Sequence, residues 1–125
     1  MARILLVEDI DGVRSSLRTV LSLAGHSVVE AEDGRVGLER AREQQFNLVV
    51  TDVVMPNLDG SEAILSLKRN GAGTPVLAIS GGGAWADTEG ALALARENAD
   101  AVLAKPFSRA ALLTAVDLLL RRNPG

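Results

Sequence analysis

Five short apolar runs recur along the chain, each bounded by turn residues and separated from the next by a stretch with helical spacing. No other feature restricts the fold as strongly. The runs are RILLVE (3–8), SVVEA (27–31), NLVVTD (47–52), PVLAIS (75–80) and AVLA (101–104). Four of them are rich in valine or isoleucine and apolar on consecutive residues, as expected of strands covered on both faces.

The intervening stretches read as helices. The first carries Val13, Leu17, Val20, Leu21 and Ala24 on one stripe, with Asp11 placed to cap its start and Gly25 to end it. The second, at about 34–45, is interrupted by Gly37. A third opens on Asp59 and Glu62 at capping-box spacing and continues through Ile64, Leu65 and Leu67 to Gly71. A fourth covers roughly 87–97, and a fifth runs from a Ser108 cap through Leu112, Leu113, Val116 and Leu119. Strand and helix alternate five times, which predicts an α/β fold: a doubly wound (βα)5 parallel sheet with right-handed crossovers. A single domain over 1–122 is expected, with 123–125 as a C-terminal tail. Ligands of such sheets bind at the carboxyl ends of the strands, near the point where strand order reverses.

Composition removes several function classes. With 125 residues the chain can bury a sizeable core, and an aromatic share of 2% makes that core aliphatic. The absence of cysteine excludes disulfides, thiol catalysis and zinc–thiolate sites. A net charge of −3 with scattered basic residues offers no footprint for a nucleic-acid backbone, so no direct nucleic-acid contact is expected. No apolar run approaches a membrane span, and MARILLVED enters a strand without a signal-peptide pattern, so a cytoplasmic protein is expected.

The strand ends carry the chemistry. The first run ends in Glu8 and Asp9, the third in Asp52, the fourth in Ser80, and the fifth leads into Lys105 and Pro106. In a parallel sheet these side chains share one rim. Crowded carboxylates repel one another, and all stay ionised at neutral pH only beside a cation. A hard, oxygen-preferring ion such as Mg²⁺ suits them and keeps positions open for water or phosphate oxygens. Lys105 and the Ser80 hydroxyl suit a second anionic ligand, most simply a phosphoryl group. Asp52 can then be the nucleophile, because aspartate carboxylates form acyl phosphates, and phosphoryl transfer asks mainly for positioning and charge neutralisation.

LLVED followed by a helix, VVTDVVMPNLDG, VLAISG and AVLAKPF, in this order and at these separations, resemble the receiver domain of bacterial two-component response regulators of the chemotaxis-regulator kind. The match covers essentially the whole chain. It implies a flavodoxin-like sheet with strand order 2-1-3-4-5. It further implies that Asp52 accepts phosphate from a phosphohistidine on a histidine kinase or histidine phosphotransfer protein, or from a small phosphodonor. Asp9 would bind Mg²⁺ directly, Glu8 mainly through a water, and the backbone carbonyl of Val54 would complete the protein ligands. Lys105 would pair with a phosphoryl oxygen, and Ser80 would move to hydrogen-bond the phosphoryl group. The family also has a cis peptide before the proline matching Pro106.

Three positions depart from the common pattern. Val102 stands where many receivers carry an aromatic that reports the switch. Val54 is apolar and cannot orient a hydrolytic water. Gly81, Gly82 and Gly83 follow Ser80 and give that loop unusual backbone freedom. The resulting expectation is a stand-alone phosphorylated signalling domain, not a turnover enzyme. Its signal would leave by contact with a downstream protein through the fourth helix, fifth strand and fifth helix.

Plainer roles suit other residues. Asp11 and Asp59 read as helix caps, His26 as a satisfied or surface residue and not a phosphodonor, and Trp85 as partly exposed. Two rivals stay open. An aspartate-nucleophile phosphohydrolase would need a general acid where Val54 stands, and a receiver-like binding module would not need Glu8, Asp9, Asp52, Ser80 and Lys105 together.

Overall fold

Strands apolar on consecutive residues need cover on both faces, and the computed structural model shows how they get it. It describes residues 2–52, 74–80, 99–104 and 107–122. In chain order these form β1 (Arg3–Val7), α1 (Asp11–Leu23), β2 (Ser27–Ala31), α2 (Gly34–Glu43), β3 (Leu48–Asp52), β4 (Val76–Ser80), β5 (Ala101–Ala104) and α3 (Arg109–Arg122). The last helix is the fifth one expected from sequence. The third and fourth helix candidates lie outside the described residues, as do the Gly81–Gly83 run, Trp85 and Pro106.

All strand pairs are parallel, and the order is β2-β1-β3-β4-β5. The order reverses between β1 and β3, so their carboxyl ends flank the switch point. Alternation along each strand divides the core. Ile4, Leu6, Leu48, Val50, Leu77 and Ile79 face α1 and α3, where Leu17, Leu21, Leu112, Val116 and Leu119 are buried against them. Leu5, Val7, Val49, Val76 and Ala78 face the other way, and Val36, Leu38 and Ala41 of α2 pack there. Each such leucine or isoleucine contributes about 1.5–3 kcal/mol of burial. A slip of one residue would exchange the two faces, which locks the register that aligns the strand ends.

Helix ends set the loops. α1 closes on Gly25 at φ 96°, with Gly25 N–H on Ser22 O at 3.0 Å and His26 N–H on Leu21 O at 3.2 Å. That left-handed turn is the reason for glycine there. Ala24 is exposed at the C-cap and does not join the buried stripe. The expected Asp11 cap is also corrected: Ile10 holds the N-cap without a side-chain hydrogen bond, and Asp11 is the first helical residue. Its carboxylate is taken by Arg14 Nη2 at 2.7 Å. α2 is capped by Asp33, whose Oδ1 accepts from Val36 N–H at 2.9 Å. Gly37 permits that helix to lie close on β1, since a Cβ there would sit 2.8 Å from Val7 Cγ2. Ser108 caps α3 as expected, its Oγ accepting from Ala111 N–H at 3.0 Å.

Candidate functional site

The register builds the site. β1 and β3 are paired through Val7 and Thr51, so the next residues, Glu8 and Asp52, come level at the carboxyl end. Glu8 is held there by its N–H on Ala31 O at 3.0 Å. Glu8 is 1% and Asp52 6% exposed, so both carboxylates are withdrawn from water, while Asp9 is half-buried. One carboxylate oxygen from each of Glu8, Asp9 and Asp52 lies within 4.8 Å of the other two. At such separations each pair of charges repels by roughly 3–4 kcal/mol at an effective dielectric near 20. That exceeds what one neutral hydrogen bond returns, about 1 kcal/mol, so the cluster is suited to a cation.

Two residues that sequence reasoning passed over support this rim. Thr51, fully buried, donates from Oγ1 to the carbonyl oxygen of Asp52 at 3.1 Å. Arg14 reaches back from α1: Nη1 donates to the carbonyl oxygen of Glu8 at 2.9 Å, and Nε lies 3.4 Å from Glu30 Oε1. Its hydrogen bond to Asp11 raises the guanidinium pKa above its ordinary value, with burial opposing and the charges of Asp11 and Glu30 adding, so it is a permanent cation. A basic residue in the first turn of a helix opposes the helix dipole, and that was the available signal that Arg14 has other work.

Of the remaining expected site residues, Ser80 is the last residue of β4, and its backbone partner across the sheet is Ala104. Asp52 pairs with Ile79, so the Ser80 backbone stands one step beyond Asp52 on the same rim. Lys105 follows Ala104 in the chain, but it and Val54 lie outside the described residues. Val102 is half-buried and packs against the core on the α2 side. His26 is satisfied, its Nδ1 accepting from Ala2 N–H at 3.2 Å.

The donor set fits a magnesium ion. Oxygens around one Mg²⁺ at 2.0–2.1 Å stand about 3–4 Å apart, and the observed spread of up to 4.8 Å accommodates ligation in which one carboxylate reaches through a water. Among the described residues no helix is long and apolar enough to cross a membrane.

Residues 4–117 match the family described as response regulator receiver domain. The chain is 39% identical over 121 residues to the response regulator MprA of Mycolicibacterium vanbaalenii, covering 97% of this chain and 51% of that protein. It is 41% identical over 120 residues to the transcriptional activator protein PfeR of Pseudomonas aeruginosa, covering 96% of this chain and 38% of that protein. The chain therefore spans about half of the length of the first relative and less of the second. Among solved structures, a CheY-like receiver domain protein from Methanospirillum hungatei shares the fold with a TM-score of 0.91 at 23% identity, covering 99% of this chain and 97% of that one. Chemotaxis protein CheY4 of Vibrio cholerae superposes with a TM-score of 0.84 at 28% identity, covering 96% and 99%.

Proposed function

Since the chain belongs to the response regulator receiver family of two-component systems, we propose that it is a magnesium-dependent phosphoacceptor whose phosphorylated residue is Asp52. The observation that carries this reading is the meeting of Glu8, Asp9 and Asp52 within 4.8 Å at the switch point of the sheet.

In the proposed reaction an Asp52 carboxylate oxygen attacks phosphorus and forms an acyl phosphate, while the bond from phosphorus to the imidazole nitrogen of a histidine kinase or phosphotransfer protein breaks. A divalent ion held by Asp9, Asp52, Glu8 and the Val54 carbonyl would neutralise charge on the transferring oxygens. Burial of Asp52 limits competing water, and the Thr51 hydroxyl steadies its backbone. Lys105 is assigned to a phosphoryl oxygen, and Ser80 to a hydrogen bond with the phosphoryl group once it is in place. Val54 gives a hydrolytic water no hydrogen bond, so a long-lived phosphorylated form is expected. On this reading the chain catalyses only its own phosphorylation and dephosphorylation, and it works in the cytoplasm.

The receiver unit is taken to span residues 1–122, leaving 123–125 as a tail. Output would pass to a downstream protein through the β5–α3 side. Absence of nucleic-acid contact is proposed for this chain's residues alone. PfeR is named a transcriptional activator and is matched over only 38% of its length, so in a longer protein of that kind DNA contact would belong to segments beyond the match.

Intact mass after treatment with a small phosphodonor tests the proposal. Wild-type protein should gain one phosphoryl group with Mg²⁺ and much less without it, and Asp52→Asn should gain none. Equal incorporation by Asp52→Asn, or none by the wild type, would refute it.

A further inference from the structure

The Glu8 carbonyl that Arg14 grips belongs to the same peptide unit as the Asp9 N–H. A peptide unit is planar, with its C=O and N–H pointing in opposite directions. Arg14 Nη1 holds the carbonyl end at 2.9 Å. The other end donates to the Glu8 side chain itself, Asp9 N–H to Oε2 at 3.1 Å. A charged donor on the carbonyl also polarises the amide and strengthens the N–H as a donor. Asp11 and Glu30 in turn fix the guanidinium, through contacts of 2.7 Å to Nη2 and 3.4 Å to Nε. The side chain of Arg14 is only 17% exposed, so it has little room to swing away.

We infer that Arg14 is a positioning residue for the rim: through the Glu8–Asp9 peptide it aims the Glu8 carboxylate, and so sets how well the three carboxylates fit a magnesium ion. It reaches the ion only through that peptide. The inference rests on the divalent-ion reading of the site, and it makes a prediction opposite to a simple field effect. Removing a nearby cation would by itself tighten the binding of another cation, whereas loss of positioning weakens it. Partners that orient metal ligands typically change affinity by about 10- to 100-fold. Mg²⁺ demands near-octahedral geometry and Ca²⁺ tolerates irregular ligation, so misplacing Glu8 should penalise magnesium more.

Calorimetric titration of the whole chain with Mg²⁺ and with Ca²⁺ tests this in the wild type, Arg14→Met and Arg14→Lys, with thermal melts confirming the fold. Arg14→Met should lose about tenfold or more in Mg²⁺ affinity and less in Ca²⁺ affinity, narrowing the preference between the ions. Arg14→Lys keeps a charged donor for the Glu8 carbonyl and should restore most of the loss. If Arg14→Met does not fold, Arg14→Gln takes its place beside Arg14→Lys. Unchanged affinity, tighter magnesium binding, or equal loss for both ions overturns the inference alone. A wild-type chain that takes up no magnesium overturns the site reading and this inference with it.

Discussion

At the amino-terminal end of the sheet, Arg3 N–H donates to Asn47 Oδ1 at 2.8 Å while Asn47 N–H donates back to Arg3 O at 2.8 Å. The same reciprocal pair joins Val76 and Asp100, at 2.7 Å to the carboxylate and 2.9 Å to the carbonyl. A third links Ala2 to His26 Nδ1 at 3.2 Å, with Ser27 N–H on Ala2 O at 2.8 Å. Each time a polar side chain just before one strand closes an amide at, or one residue before, the start of a neighbouring strand, satisfying a group that a sheet end leaves open. At the carboxyl end, Glu8, Asp9 and Asp52 are brought against one another. The first rim gains stability from its polar residues. The second sets like charges side by side, an arrangement that suits a ligand more than the fold.

Charge removal at the two ends should therefore have opposite consequences. The largest effect is on chemistry: Asp52→Asn should abolish phosphate incorporation while melting no lower than wild type in metal-free buffer, as read by mass and calorimetry. At the opposite rim, Asp100→Ala leaves the buried Val76 N–H without this acceptor and should cost about 1–3 kcal/mol in denaturant unfolding, with magnesium affinity unchanged. Asp9→Asn should stabilise the metal-free protein by about 1 kcal/mol, well under the unscreened repulsion because solvent screens the half-buried Asp9, and weaken magnesium uptake. The smallest change is Asn47→Ala, a loss of about 0.5–1 kcal/mol at an exposed bond, again with metal binding intact. Destabilisation by Asp9→Asn, or metal loss in Asp100→Ala, would erase the distinction between the rims.

The sheet and the acidic site were legible for the same reason. Consecutive apolar residues mark strands covered on both faces, parallel strands all end on one rim, and the polar residue closing each run must lie there. Glu8, Asp9 and Asp52 follow directly. What stayed hidden acts through the backbone. Arg14 and Thr51 reach carbonyl oxygens, and no side-chain spacing records a carbonyl. The strand boundaries moved by one residue at Glu8, Asn47 and Pro75, and Asn47 had left its strand to close the first amide of β1. Asp11 looked like a cap because an acid before an apolar stripe usually is one, but Arg14 three residues later competes for its carboxylate at 2.7 Å. Asp33, one residue before α2, is the acid that does cap.

On the divalent-ion reading, the carboxyl rim holds its three carboxylates under repulsion that the ion relieves. Thermal melts of the wild type across a magnesium series test it most directly, because an ion bound only by the folded state stabilises by mass action. The melting temperature should climb with magnesium concentration along a single-site curve, and the rise should be absent in a chain carrying Asp9→Asn and Asp52→Asn together. A wild-type melt indifferent to magnesium, or an equal rise in the double variant, would contradict the account.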